Sequence, residues 1–377
     1  FLGSTMVDKS LKSHESSLGL DIRETEVDFD LDRKLTQEEI DKTVFYCRHD
    51  VISTIYVFLE RIDIFKAYVT LITNYGLTME DFNKTRAQLS AAVLDARRMY
   101  PMPDDEWRFI IPKCLKLGKY EFVKEWFLNP DNHNYNKSQL VHTKWCDVTI
   151  AYGGAHDTRQ KLDYRNCKLL NVDVSSYYPN LMREYGLLSR GITKPELYFD
   201  MLRDRITWKK TNPSLASASK VILNSTYGMS KDVHSPCLDK RMANSVCISG
   251  QLLLLDLIEK IESYCEILNV NTDGLLVKCE TDEDIEKVKE LANEWEKRSG
   301  MPLEYDSYVT FISRDVNTYL LVDENGHAKS KGAVKEISAL ENNMAVVNKA
   351  MKAYFLEGIT PEEFIAKDDV LMDYMNT

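Results

Sequence analysis

Asn269-Val270-Asn271-Thr272-Asp273-Gly274 stands between a long apolar run, Gln251 to Leu268, and a short one, Leu275 to Val277. A polar tip carrying one carboxylate between apolar segments reads as a β-hairpin. Three chemistries fit it. Asp-Gly is ordinary turn chemistry. Asn269-x-Asn271-x-Asp273-Gly274 with Glu280 comes close to a calcium loop, with Asn in the first ligand position. Asp273 also suits a catalytic metal ion, a reading that depends on what stands upstream. There, Cys167 to Val174 reads as a buried strand ending at Asp173, and Ser175-Ser176-Tyr177-Tyr178-Pro179 follows as a rigid corner with a carboxylate at its lip. Between the two, Lys220-x3-Asn224-Ser225-x-Tyr227-Gly228 sets Lys220, Asn224 and Tyr227 along one stripe of a helix that Gly228 can end. Beside Val221, Ile222 and Leu223, such a stripe is costly to bury alone, so it faces solvent or a charged ligand. Arg205 and Lys209, four apart, share a face of the preceding helix.

A frame must hold these residues. Residues 8 to 72 open with a short helix pattern (Leu11, Leu18) and an acidic loop, Glu24 to Asp32. A longer helix starts near Thr36, with Glu38 and Glu39 in the first turn, where the helix dipole favours them. On it, Tyr46 and Asp50 share a face. Residues 73 to 135 read as mostly helical around Leu89, Val93, Trp107, Phe109, Trp126 and Phe127. At Val148 the period becomes strand-like, and Tyr152-Gly153-Gly154-Ala155-His156 follows. Paired glycines after a strand make a plain turn or admit another backbone, protein or nucleic acid. Residues 195 to 235 read as helical with a break at Asn212-Pro213, and Ala243 to Cys265 as the helix delivering the hairpin. Thr281 caps a helix to about Arg298. Strands return at Tyr308 to Ile312 and Tyr319 to Val322, and a last helix runs from Asn342 to Phe355.

With 377 residues, 44% of them apolar, the chain is long enough for two or three packed units. No secretory pattern opens it, and the longest apolar run, Leu252 to Ile258, is broken by Asp256 and too short for a bilayer, so no membrane partner is expected. Eight cysteines without a CxxC pair suit the reduced thiols of a cytoplasm and argue against zinc. A net charge of −11 has the wrong sign for a nucleic-acid binder, which would need a local basic surface. Residues 201–241 provide one: Arg203, Arg205, Lys209, Lys210, Lys220, Lys231, Lys240 and Arg241 against Asp204, Asp232 and Asp239. A solvated helix face explains this patch equally well.

Taken together, Asp173-x-x-Ser176-x-Tyr178-Pro179, Lys220-x3-Asn224-Ser225-x-Tyr227-Gly228 and Asn271-Thr272-Asp273-Gly274, about fifty residues apart, resemble motifs A, B and C of family B DNA polymerases, the phage and viral type above all. Tyr152-Gly153-Gly154 resembles the linker motif between that family's exonuclease and polymerase domains, and Tyr46-x3-Asp50 its third exonuclease motif. Asn317-Thr318-Tyr319 stands where the family has Lys-x-Tyr, with Lys331-Gly332 as in its next hairpin. The departures are specific. Asn271 and Gly274 stand where Asp and Ser are usual, Asn317 replaces Lys with Arg314 nearby, and the first two exonuclease motifs are missing, Asp21-Ile22-Arg23-Glu24 having the wrong spacing. No thumb follows, so the chain reads as a fragment of a longer polymerase.

The resemblance implies an α+β fold: residues 1–72 as the C-terminal remnant of an RNase H-like 3′–5′ exonuclease domain, 73–140 as a helical linker, 141–194 and 237–377 as two parts of a palm with an antiparallel sheet, and 195–236 as inserted helical fingers. It implies template-directed DNA synthesis from dNTPs, with two Mg²⁺ ions (Mn²⁺ as substitute) about 3.5–4 Å apart. Magnesium takes oxygen ligands, here Asp173, Asp273 and the backbone of Val174. Lys220, Asn224, Arg205, Lys209 and Tyr227 would meet the nucleotide, with Tyr178 as the gate against a ribose 2′-hydroxyl. Tyr152, Gly153, Gly154, Tyr319 and Lys331 would meet DNA, and Tyr46 and Asp50 would be exonuclease remnants. Expected partners are primer-template DNA and other replication proteins, in the cytoplasm of a host cell if a phage encodes the chain. Two alternatives remain: a polymerase-like nucleic-acid-binding domain without catalysis, signalled by Asn271, and a calcium-binding protein built on Asn269 to Glu280.

Overall fold

The computed structural model describes residues 10–337 and 344–374. Its helices are α1 (Leu11–Ser17), α2 (Gln37–Glu60), α3 (Ile62–Asn74), α4 (Arg86–Val93), α5 (Glu121–Leu128), α6 (Tyr177–Glu184), α7 (Pro195–Thr211), α8 (Pro213–Lys231), α9 (Lys240–Ile261), α10 (Asp282–Ser299), α11 (Ala345–Glu357) and α12 (Pro361–Lys367). Its strands are β1 (Ser138–His142), β2 (Asp147–Ala151), β3 (Ala155–Asp157), β4 (Leu162–Val174), β5 (Glu266–Asn271), β6 (Gly274–Cys279), β7 (Leu303–Asp315), β8 (Thr318–Val322) and β9 (Ala328–Lys331). Mixed helix and antiparallel sheet is therefore the fold class. The chain forms two compact units, one of Leu71–Gly332 and one of Phe1–Thr70 with Ala333–Thr377.

In the larger unit, β1-β2-β3 form a small sheet and β5-β6-β4-β7-β8-β9 a six-stranded one, antiparallel throughout. Leu169, Leu268, Leu276, Tyr308, Phe311 and Leu321 pack together on the large sheet. A register shift between Arg165 and Leu169 breaks the β4–β7 ladder, and a bulge of this kind bends the strands that carry it. Lys329 pairs by register with Leu321, yet its ammonium lies 3.8 Å from Asp306, near the other end of β7.

Helix α9 is the core of this unit. Its length and apolar composition would suit a bilayer, but it is buried inside the protein. Polar residues on its faces, unnoticed in the sequence, satisfy the backbone of segments laid along it. Ser245 accepts from Ile110 N–H at 2.9 Å, Asp256 from Lys116 N–H at 3.0 Å, and Glu259 from the N–H groups of Gly118 and Lys119. These bonds explain the main departure from expectation. Residues 94–119 are irregular instead of helical, because Pro101, Pro103 and Pro112 lack donors and disfavour helix, while α9 supplies partners that helix would otherwise provide. Asp256 is also paired with Arg298 at 2.7 Å, tying α9 to α10.

Smaller departures have local causes. Helix α8 runs through the exposed Gly228 to Lys231, since the buried Thr226, Met229 and Ser230 around it hold turns that propensity alone would end. Strands β4 and β7 are longer than the apolar runs suggest, because their outer halves alternate exposed and half-buried residues. Thr36 caps α2 with Glu39 in a reciprocal capping box. Asn342 lies outside the described residues, and α11 begins at Ala345.

Candidate active site

Strand register builds the site. Pairing of β4 with β6 sets Asp173 opposite Gly274, and pairing of β5 with β6 sets Asn271 opposite the same glycine. The hairpin turn is therefore Thr272-Asp273, and the Val174 N–H donates to the Asp273 carbonyl at 2.8 Å. Two carboxylates a hundred residues apart in the chain arrive at one end of the sheet, Asp173 on β4 and Asp273 in the turn between β5 and β6. Gly274 permits the approach: a Cβ there would lie 2.5 Å from Asp173 Oδ1 and 3.0 Å from the Val172 carbonyl. The same pairing corrects the calcium-loop reading. Asn269 is a buried strand residue, and Glu280 pairs with the Lys278 ammonium on the far side of β6, so the oxygens do not converge.

Asp273 is exposed and Asp173 half-buried. Burial, and then the charge of Asp273, push the Asp173 carboxyl up to about 6. The Lys329 ammonium exerts only a smaller, opposing pull on it and lies nearer Asp306. Two carboxylates this close, without a cationic side chain bonded to them among the described residues, are a donor set that fits a hard divalent cation.

A cavity of about 330 Å³ opens beside them, lined by Asp173, Val174, Ser176, Tyr177, Tyr178, Pro179, Leu223, Asn224, Tyr227, Thr272 and Asp273. It joins the three sequence motifs. Tyr178 and Tyr227 meet edge to face at 4.4 Å and 61°, and the Tyr227 hydroxyl is buried with no hydrogen-bond partner among the described residues. Ser176 precedes α6 in the left-handed region (φ 49°, ψ 50°) and gives that helix no side-chain cap. Such a conformation costs a non-glycine residue about 1 kcal/mol or more and tends to be kept at functional sites. Here it starts α6 at the edge of the cavity, with Tyr177 and Tyr178 as the first-turn residues whose N–H groups lack a cap, Pro179 having none.

The remaining sequence-derived residues lie outside the cavity lining. Lys220 is one helical turn before Asn224 on α8, and Arg205 and Lys209 are on α7, which packs against α8. Local pairing takes three of the eight cations out of the basic patch. Arg203 bonds Asp200 and Asp204, Lys240 bonds Glu106 and Arg241 bonds Asp105. Arg205, Lys209, Lys210 and Lys220 have no carboxylate partner among the described residues, and the buried Arg205 Nε is unbonded.

Tyr152 is 3% exposed, its hydroxyl donates to the Asn132 carbonyl, and Trp107, Trp126, Phe127 and Tyr135 surround its ring. Its side chain is a structural anchor, which leaves Gly153 as the open part of that motif, Gly154 being buried. Tyr319 is half-buried beneath the Lys331 ammonium, 5.7 Å from the ring centre.

Sequence reasoning missed the residues that hold the Gly-Gly segment. The Gln251 amide clamps both backbone groups of Ala151, at 3.1 and 2.7 Å. Lys231 donates to the Tyr152 carbonyl at 3.0 Å and lies over the Tyr227 ring. The buried Asp157 accepts from Val270 N–H at 2.7 Å, fastening β3 to β5. A polar residue within an apolar helix was the one signal available for Gln251.

Tyr46 and Asp50 belong to the smaller unit. Lys12 bonds Asp50 at 2.7 Å and the fully buried Glu15 at 3.1 Å, and lies over the Tyr46 ring. His49 Nδ1 is 3.5 Å from Glu15. Glu15, His49 and Asp50 thus form a group of metal-capable side chains, with an ammonium already among them.

No protein-family model matches the chain, and no curated protein does. Among solved structures it is similar to the family B DNA polymerase from the hyperthermophilic archaeon Pyrobaculum calidifontis, with 18% sequence identity and a TM-score of 0.45. The match covers 88% of this chain and 43% of that polymerase, so the chain spans less than half the length of the protein it resembles.

Proposed function

We propose that this chain is the polymerase portion of a family B DNA polymerase of the phage or viral type and carries out template-directed nucleotidyl transfer from dNTPs. The observation that carries the reading is the cavity, because it joins Asp173, Tyr178, Asn224, Tyr227 and Asp273 from three distant segments. In this reading residues 141–194 and the sheet-forming part of 237–377 are the palm, α7 and α8 the fingers, and residues 1–72 an exonuclease remnant. Asp173, Asp273 and the Val174 backbone hold the two metal ions. When bound, Mg²⁺ or Mn²⁺ supplies activation of the primer hydroxyl and neutralisation of the leaving pyrophosphate.

The other residues bind and orient. First-turn N–H groups of α6 and the Asn224 amide take triphosphate oxygens, while Lys220, Arg205 and Lys209 add positive charge from the helices. Tyr178, braced by Tyr227, closes the space beside the sugar. Gly153, Gly154, Tyr319 and Lys331 contact DNA. Magnesium-dependent extension of a primer-template with dNTPs tests the reading. Binding of primer-template without any extension would favour the non-catalytic alternative that Asn271 suggests.

Three results are expected along the way. Gly274→Ala drives a methyl group against Asp173 and the Val172 carbonyl. It lowers extension more than tenfold and destabilises the fold by about 1–3 kcal/mol, the usual range for overpacking; single-turnover extension and denaturant melts read the two effects.

The Asp173 carboxyl titrates near 3.8 when unfolded and about 6 when folded. The folded state then binds more protons between these values, so the metal-free protein loses stability as pH rises from about 4 to 6. Asp173→Asn removes that loss, and saturating Mn²⁺ offsets it above pH 6. Melts at pH 4.5, 5.5 and 7 would show a flat wild-type profile if the assignment is wrong.

No 3′ nuclease activity is expected, because Asp50 is one carboxylate where a two-metal nuclease needs several, and it is already bonded to the Lys12 ammonium. Metal-dependent release of 3′ nucleotides that Asp50→Ala abolishes would overturn this.

A further inference from the structure

Tyr178 is braced by Tyr227, and Tyr227 needs a support of its own. Its hydroxyl is buried without a hydrogen-bond partner among the described residues, so contacts to the ring must keep it in place. One is Tyr178, 4.4 Å away between ring centres. Another is Lys231, one helical turn further along α8, whose ammonium lies 4.9 Å from the centre of the Tyr227 ring.

The same ammonium donates to the Tyr152 carbonyl at 3.0 Å. That carbonyl is a fixed point. Trp107, Trp126, Phe127 and Tyr135 enclose the Tyr152 ring, and the Gln251 amide holds the backbone of Ala151 just before it. A lysine ammonium on its flexible stem would otherwise wander; bonded to a fixed carbonyl, it stays over the ring. A line of contacts therefore runs from the anchored Tyr152 through Lys231 and Tyr227 to Tyr178, whose ring lines the cavity.

We propose that Lys231 is a positioning residue for sugar selection, which holds Tyr227 in place and, through it, the Tyr178 ring against the sugar of the incoming nucleotide. The inference rests on the polymerase reading and deepens it at the sugar gate. Two simpler duties for Lys231 explain less. As a cation in the last turn of α8 it suits the helix dipole, and as a member of the basic patch it would draw in phosphates. Neither duty needs the ammonium to lie over an aromatic ring that touches the gate. The attraction between a cation and a ring face strengthens as water is removed, and Lys231 and Tyr227 are both half-buried. Without the ammonium, the Tyr227 ring gains room to tilt, and Tyr178 can yield to a 2′-hydroxyl.

Single-nucleotide incorporation of dATP and of ATP, compared as kcat/KM, tests this. Lys231→Met keeps most of the stem and removes the charge. It should lower the preference for dATP about tenfold, a size that a partly desolvated cation–π contact can supply. It should do so by raising ATP incorporation in absolute terms, whereas damage to the fold lowers both efficiencies. In a Tyr227→Ala background, where the ring is already gone, Lys231→Met should shift the preference by less than about twofold, since two residues on one path do not add. Where Lys231→Met leaves too little folded protein, Lys231→Gln carries the same expectation, because it keeps a donor for the Tyr152 carbonyl but no charge over the ring.

An unchanged dATP preference in the folded variant overturns the inference, and so does a preference that falls only because dATP is used less well. A full shift in the Tyr227→Ala background takes Tyr227 off the path and overturns it too. A wild-type protein that extends no primer with dNTPs overturns the polymerase reading, and this inference with it, so the wild type alone tells the two failures apart.

Discussion

Asp273→Asn abolishes primer extension and weakens Mn²⁺ binding, whereas Asn271→Asp leaves extension within about tenfold, under ~1.4 kcal/mol. The two residues are two positions apart on one hairpin, and the substitutions exchange the same atoms in opposite directions, so size and shape are controlled. The expectation rests on their different surroundings. Asn271 Oδ1 accepts from the Thr272 N–H at 3.0 Å, a task that an aspartate oxygen performs as well. Asp273 spends its carbonyl on Val174 and keeps its carboxylate exposed beside Asp173. Removing that charge leaves one carboxylate to hold two divalent ions, a loss of several kcal/mol of transition-state stabilisation, or roughly three orders of magnitude in rate. Steady-state extension and Mn²⁺ titration of the two variants decide it. If Asp273→Asn retains activity, Asp273 is a turn residue and the site has been misassigned.

The second large effect concerns sugar choice. Tyr178→Val should admit ribonucleotides while deoxynucleotide use falls little, shifting discrimination roughly a thousandfold, equivalent to about 4 kcal/mol. The ring lines the cavity two residues beyond Ser176, on the first turn of α6, and Tyr227 supports it from α8. A braced ring cannot swing aside, so an added 2′-hydroxyl meets it as a hard wall. Tyr227→Ala, by removing the brace, should relax discrimination in the same direction but less. Competition between ATP and dATP in single-nucleotide incorporation measures both. Unchanged selectivity in Tyr178→Val would make Tyr178 a packing residue of α6 alone.

Much of the candidate site was legible because its residues announce themselves locally. Asp173 ends an apolar run, Asp273 interrupts two, and the Lys220, Asn224 and Tyr227 stripe follows helical spacing on α8. The supports were not legible, because each depends on a partner far away in the chain. Gly274 matters for the Asp173 oxygen against it, Asp157 for the Val270 N–H, and Gln251 for the backbone of Ala151. Ser176 carries no composition signal for a left-handed backbone. The irregular stretch 94–119 was misjudged for the same reason, since its hydrogen bonds are made by side chains of α9 more than a hundred residues later. Charge was legible as a count but not as a field, because Asp105, Glu106 and Asp200 pair with three of the eight cations of the basic patch from outside it.

Strand β9, the outermost of the large sheet, has a consequence for solubility. Among the described residues no strand pairs with its outer side, the kind of edge on which a second molecule can add a strand and start a polymer. The strand is only four residues long, Ala328-Lys329-Ser330-Lys331. Both lysines point to one side of the ribbon, and an identical strand approaching in antiparallel register would bring like charges face to face. Lys331, which the proposed function sets against DNA, would therefore also help to repel copies of the protein itself. Exchanging both for threonine would retain strand propensity and remove the repulsion, so aggregation in low salt should rise even where the fold is unchanged.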